Sequence, residues 1–363
     1  MRGRVGLNRR MKLPKLLLAG LLATLPVFGA SGLKPGVRGV ATHAPEGMKI
    51  DGDLSEWKDA FSAPGEYFNP DLKNRACQFF YMWDDEAFYA AYRALDEHPA
   101  NNADEAHLWE GDAVEWYFDT RRGDDFRGKD WGKGAVHCYW TGLKGTNVNP
   151  RFCLRPGYLD AIPKIGVEVG AKRTAEGMTV EFKLPWANFP EFKAAKDAVI
   201  ALDSELCYSD GKGRVFRTFI YGSPLSVQQP ASQAQIQLVE RFEKSYWEQC
   251  APILCPIRCD TPWTQKTRAM VTGYMALPPN QFEAIGKVVF RIEDLQGKTL
   301  GEYPGEIEKF AQDKSFQRAS AIWPADVATP GAHQLLGIIY GRDGQELGRV
   351  APRLVSMHMN PGY

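Results

Sequence analysis

Apolar residues along this chain recur mostly at every second position, in short runs closed by Gly, Pro, Asp or Asn. Period-two alternation with such punctuation is the pattern of strands and tight turns, and it predicts an all-β protein. Residues 77–83 (CQFFYMW) read as a strand, Asp84-Asp85-Glu86 as a turn, and 87–94 as the return strand. The clearest strand is 112–119 (DAVEWYFD). Successive side chains of a strand point to opposite faces. Val114, Trp116 and Phe118 therefore belong in a core. Ala113, Glu115, Tyr117 and Asp119 form a polar-aromatic face open to solvent or to a ligand.

Further on, 177–184 (GMTVEFKL) alternates with Val180, Phe182 and Leu184 inward. Pro185 ends that strand because it has no N–H to give to the ladder. Residues 186–189 read as a helical turn folding back on the sheet. Strands over 198–207 and 234–240 follow, with Asp210-Gly211 as a turn between them. After a Cys- and Pro-rich stretch the plan changes to hairpins. Residues 287–294 and 299–303 flank a turn at 295–298, and 333–340 and 345–350 flank Arg342-Asp343-Gly344. Asp-Gly between alternating runs is a strong hairpin signal. The expected organisation is two β-sandwiches: one over 36–245, a Cys/Pro-rich linker over 246–263, and an immunoglobulin-like sandwich over 264–358.

The first 32 residues read differently. Arg2, Arg4, Arg9, Arg10, Lys12 and Lys15 precede an apolar run from Leu16 to Phe28, and Gly29, Ala30, Ser31 and Gly32 follow. Basic, apolar and small-residue regions in this order describe a secretory signal peptide. The apolar run is shorter than the roughly 20 residues that span a bilayer. An exported protein, periplasmic, surface-bound or secreted, with no membrane span after cleavage, is expected.

Charge narrows the partner. Lys plus Arg and Asp plus Glu are 44 each, so the net charge is zero. A balanced surface offers no electrostatic funnel for nucleic acid. Ten Trp in a chain of this length suit neutral sugar rings as well as cores. Seven cysteines would meet an oxidising compartment, and an odd count leaves at least one unpaired. Cys250, Cys255 and Cys259 lack a fourth ligand at zinc-site spacing, so they read as a stapled linker.

Five motifs in order carry a resemblance. They are Ile50-Asp51-Gly52-Asp53-Leu54-Ser55-Glu56-Trp57, then 83–89 (WDDEAFY), then 109–119 (WEGDAVEWYFD), then 177–182 with Pro185-Trp186, and last Ile200-Ala201-Leu202-Asp203. Together they resemble the family 9 carbohydrate-binding modules attached to secreted bacterial glycosidases, over about residues 36–245. In the first motif Asp51-Gly52 makes a tight turn that Leu54 and Trp57 anchor to the core. Trp57 and Trp186 are expected in the core.

The resemblance implies a non-catalytic β-sandwich that binds oligo- or polysaccharide, assisting an extracellular glycosidase or an envelope component. In that family two tryptophans sandwich a terminal sugar. Trp109 matches the first, Glu115 matches a carboxylate that bonds the sugar, and His137 and Tyr139 lie where the family places polar contacts. The second tryptophan position holds Val227, with Gln228 and Gln229 beside it, so Gln228 is the remaining candidate contact there. The family also implies structural calcium, for which Asp84 and Asp85 are the candidate ligands.

Other chemistry finds little support. Asp112 and Glu115 point to opposite sides of one strand and cannot serve as a hydrolytic carboxylate pair. No Gly-x-Ser-x-Gly elbow is present, and no nucleotide site is expected. One alternative is an exported scaffold or adhesion module with a degenerate sugar site. Another is a haem-binding electron-transfer sandwich, for which Met82, His98, His107 and Met178 would be the available ligands, although no haem motif accompanies them.

Overall fold

The computed structural model describes residues 32–64, 77–121, 131, 133–158, 161–221, 230, 233–246, 250, 258–260, 268–276, 285–309, 316–324, 331–349 and 353–357. Residues 1–31 of the expected signal peptide, Val227, Gln228 and Cys255 lie outside them. Among the described residues no helix is long and apolar enough to cross a membrane.

The first sheet system holds β1 (Val37–His43), β2 (Phe61–Pro64), β3 (Cys77–Trp83), β4 (Ala87–Leu95), β5 (Ala113–Asp119), β6 (Ala135–Lys144), β7 (Asn147–Leu154), β8 (Glu168–Arg173), β9 (Gly177–Pro185), β10 (Val199–Ser209), β11 (Arg214–Phe219) and β12 (Ala234–Val239). Its order is β7-β6-β5-β10-β12-β1-β3-β4-β9-β8, with β11 on β10 and β2 on β3. β1 is the join. It runs parallel to β12 along Val37–Thr42 and parallel to β3 at Thr42–His43. The two halves of the sheet fold over it into a sandwich.

The inward faces meet as the alternation predicts. Val114, Trp116 and Phe118 of β5 share one core with Phe88 and Tyr92 of β4 and with Val180, Phe182 and Leu184 of β9. Trp116 stacks 5.9 Å from Phe88 and meets Phe182 edge-on at 5.0 Å. Burying aromatics of this size supplies the largest favourable term of the fold. Trp57 and Trp186 are core residues as expected, at 1% and 7% exposure.

The outward faces differ from expectation. Ala113, Glu115, Tyr117 and Asp119 are not solvated but 0–4% exposed. Tyr117 packs with Trp131 and Ala135, and Ala113 packs with Leu108 and Tyr139. On the opposite sheet, Ala44, Trp57 and Ala60 cover Phe80 and Met82 of β3 and Tyr89 and Ala91 of β4. Connecting segments thus close both outer faces.

One of these covers has a polar lock. Asp51 and Gly52 donate their N–H groups to Glu181 Oε2 at 2.8 and 2.5 Å, and the Trp57 indole donates to Oε1 at 2.6 Å. Gly52 has φ +86°, and a Cβ there would meet the backbone of Ala171 and Lys172. Glycine is required by both the turn and the close approach.

The C-terminal residues form a second sheet system of β13 (Arg258–Asp260), β14 (Arg268–Ala276), β15 (Ile285–Glu293), β16 (Thr299–Lys309), β17 (Phe316–Pro324), β18 (Gly331–Gly341), β19 (Glu346–Arg349) and β20 (Arg353–Met357). Both expected hairpins are present, as β15–β16 and β18–β19. β16 changes partner midway: Thr299–Gly305 pairs with β15 and Glu306–Lys309 with β17. Val288, Phe290, Ile292, Ile338 and Ile339 are buried. An immunoglobulin-like strand order is not established for this part. The expected linker is also narrower: Cys250 is a free thiol buried with the first core, and Arg258–Asp260 is already a strand. Burial, not a disulfide staple, holds Cys250.

Candidate functional site

Trp109 sits on a short 3-10 turn (Leu108–Glu110) that leads into β5. The loop bearing it is fixed from beneath. The buried Asn101 side chain donates Nδ2–H to the carbonyls of Leu108 and Asp112 at 3.0 and 3.1 Å. Its Oδ1 accepts from Arg151 Nη2 at 2.9 Å, and its backbone exchanges two hydrogen bonds with Gly145. Asp112 accepts the N–H of Ala100 and of Ser209 at 2.5 and 2.7 Å. Its role is therefore structural, consistent with its exclusion from any hydrolytic pair. Burial, then the charge of Asp96, pushes its pKa up to about 8.

The indole of Trp109 is half-buried and packs against Tyr139, with ring centres 4.9 Å apart, and meets His107 edge-on. Tyr139 lies directly across from Glu115, and Glu115 directly across from Glu205, in one rung over β6, β5 and β10. Glu115 Oε1 accepts from His137 Nε2 at 2.7 Å and from the Tyr139 hydroxyl at 3.4 Å. His137 Nδ1 lies 3.1 Å from Arg155 Nη1. A guanidinium can only donate, so Nδ1 is the acceptor and the proton of neutral His137 sits on Nε2. Burial lowers the pKa of His137, which agrees with a neutral ring. Despite burial, the hydrogen bond from His137, with Tyr117 and the charge of Arg214 beside it, holds Glu115 below the usual carboxylate range.

Four candidates, Trp109, Tyr139, Glu115 and His137, thus form one continuous group. Gln228 is outside the described residues. Sequence pattern does not single out Glu205, Arg214, Arg217 and Arg155, which join the group in the fold. Glu205 accepts from Tyr117 Oη at 3.2 Å and from Cys207 Sγ at 3.5 Å, and Arg217 Nη1 stands 3.3 Å away. Burial, then the neighbouring Glu115 charge, pushes Glu205 up to about 7. Alternation along 198–207 sets Asp203, Glu205 and Cys207 on one face. The register that puts this face beside Glu115 is what the alternation lacks.

Asp84 is held within its own turn. Asp84 Oδ1 accepts the N–H groups of Glu86 and Ala87, each at 2.8 Å, and Oδ2 accepts the Tyr89 hydroxyl at 2.7 Å. Asp85 is exposed. These contacts cap the hairpin between β3 and β4. The sulfur and imidazole groups raised for haem are dispersed. Met82 and Met178 are buried in separate clusters, while His98 and His107 are at the surface, His107 paired with Asp104.

Residues 50–222 match the family described as carbohydrate family 9 binding domain-like. No curated protein matches the chain. Among solved structures, a family 9 carbohydrate binding module from Caldicellulosiruptor kristjanssonii in complex with cellotriose is similar at 18% identity, over 56% of this chain and 94% of its own, with a TM-score of 0.44. The glucose complex of a family 9 module from the same organism gives 18% identity, 56% and 96% coverage and a TM-score of 0.43. At these scores the likenesses place no ligand on this chain.

Proposed function

We infer that the family 9-like domain over residues 50–222 binds saccharides without cleaving them, with Trp109 as the platform for a sugar ring. The observation that carries this reading is the continuous group from the half-exposed indole of Trp109 through Tyr139 to the hydrogen-bonded Glu115–His137 pair. An aromatic face covers the C–H face of a pyranose, and polar groups at its edge orient the hydroxyls. Hydrolysis is disfavoured because Glu115 and Glu205 are both buried and held by internal donors. On this reading the protein is exported and assists the recognition or breakdown of polysaccharide by other proteins, with the C-terminal sheets as an immunoglobulin-like spacer or docking part.

Calorimetric titration of the mature protein with glucose, xylose, cellobiose and xylobiose tests it. Loss of the indole in Trp109→Ala removes about 1–3 kcal/mol of stacking, a roughly ten- to hundred-fold fall in affinity. If no saccharide produces heat, the domain is a scaffold with a degenerate site. If the variant binds as well as the parent, Trp109 is not the platform.

A further inference from the structure

We propose that Arg214 makes this site selective for acidic saccharides, sugars bearing a ring carboxylate such as uronates, over neutral ones. The inference rests on the saccharide-binding reading above and specifies the ligand class.

It follows from how charge is layered at the site. The carboxylates are at the bottom: Glu115 and Glu205 are 4% and 0% exposed and accept hydrogen bonds from His137, Tyr139, Tyr117 and Cys207. The charged groups of the cluster that reach solvent are guanidiniums. The side chains of Arg214 and Arg217 are 29% and 30% exposed, and Arg155 is partly exposed beyond His137. A ligand resting on Trp109 and reaching toward Glu115 meets cations before it meets the carboxylates.

Arg214 is the best placed of the three. Its Nη1 stands 3.8 Å from Glu115 Oε2 and 3.7 Å from Glu205 Oε1, so attraction to both holds the guanidinium above the pair. Neither distance is a hydrogen bond. Its one hydrogen bond among the described residues is to Cys207 Sγ at 3.7 Å, again through Nη1. Every contact of the group among the described residues thus runs through a single nitrogen. Nε–H and Nη2–H remain as a fork, the geometry that takes a carboxylate with two parallel hydrogen bonds. A single neutral hydroxyl lacks the second oxygen that would take both in parallel, and it carries no charge. The two buried carboxylates orient Arg214 in advance, which reduces the ordering cost of ligand binding.

The test is titration of the whole protein with glucuronate and trigalacturonate against glucose and cellotriose, at low and raised salt. It compares the parent, Arg214→Ala, Arg214→Lys and Trp109→Ala, with far-ultraviolet circular dichroism confirming that each is folded. A uronate is expected to bind at least about tenfold more tightly than its neutral counterpart. Raised salt should weaken only the uronate, by screening. That preference should vanish in Arg214→Ala and shrink severalfold in Arg214→Lys, which keeps the charge but not the fork. Trp109→Ala should weaken both classes. Equal affinity for acidic and neutral sugars in the parent, lost together in Trp109→Ala, overturns the inference and leaves the saccharide site standing. A uronate preference that survives in Arg214→Ala also overturns it. No binding of any sugar removes both readings.

Discussion

At the scale of single residues, the platform depends on a side chain that makes no contact with a ligand. Asn101 is fully buried and its amide is used on both sides: donors to Leu108 and Asp112, acceptor for Ala103 and Arg151. Asn101→Ala removes all four of these hydrogen bonds: the Leu108 and Asp112 carbonyls keep one donor each, the Gly111 N–H and the Thr141 hydroxyl, while the Ala103 N–H loses its acceptor. The expected loss is about 2–4 kcal/mol of stability, measured by denaturant unfolding. Saccharide affinity should fall as well, because the turn carrying Trp109 loses its support. A variant of unchanged stability would show that Arg151 and the Gly145 pairing hold the loop alone. Trp109 and Glu115 were legible in the sequence because their motif fixes their spacing. Asn101, Glu205 and Arg214 were not, since each acquires its role only through a partner distant in the chain. Glu205 is the clearest instance: it stands across from Glu115 through a strand register that no local pattern encodes.

At the scale of elements, what could be read was set by burial. β3, β4, β5, β9 and β10 carry strong apolar alternation, and their limits fall within a few residues of those expected. β7 and β8 leave no such signal. Their burial is sparse, and β7 includes Pro150, tolerated at this edge of the sheet. Edge strands owe their place to pairing and close approach, which leave little hydrophobic pattern. β8 shows the approach directly: a Cβ on Gly170 would run into the Ile50 carbonyl oxygen, beside the turn that Glu181 locks down. Gly170→Ala should therefore push the 50–52 turn off the sheet and cost about 1–3 kcal/mol. At Gly213, between β10 and β11, an added methyl group would find nothing within 4 Å. Gly213→Ala should change stability by less than about 0.5 kcal/mol. Thermal melts of the two variants side by side check the pair. Equal behaviour would mean that the turn adjusts without loss.

At the scale of the whole molecule, covering both outer faces of the sandwich leaves several carboxylates inside, and their protons couple folding to pH. Glu181 is fully buried, and burial pushes its pKa from 4.5 up to about 7 against the pull of its three donors. Glu205 is likewise raised to about 7, and Asp112 to about 8. A group whose pKa is higher folded than unfolded binds more protons in the native state between the two values. Stability then falls as pH rises through that window. His137 acts oppositely: its lowered pKa makes the unfolded state the better proton binder, so stability rises with pH toward its unfolded value near 6.5. Glu115, held low, likewise contributes stability that is lost only in stronger acid. Three raised carboxylates outweigh the one lowered imidazole, which places maximal stability in mild acid, with a decline from about pH 4.5 to about pH 8. Glu181 is the group to isolate, because it stands apart from the Glu115–Glu205 pair. Its share of the slope approaches about 1.4 kcal/mol per pH unit between the two pKa values. Glu181→Gln removes the titrating proton while keeping the side-chain shape. Urea unfolding across this range should show a shallower decline in the variant than in the parent, whatever the variant's absolute stability. Parallel curves would mean that Glu181 stays ionised in the fold, its three N–H donors outweighing the cost of burial.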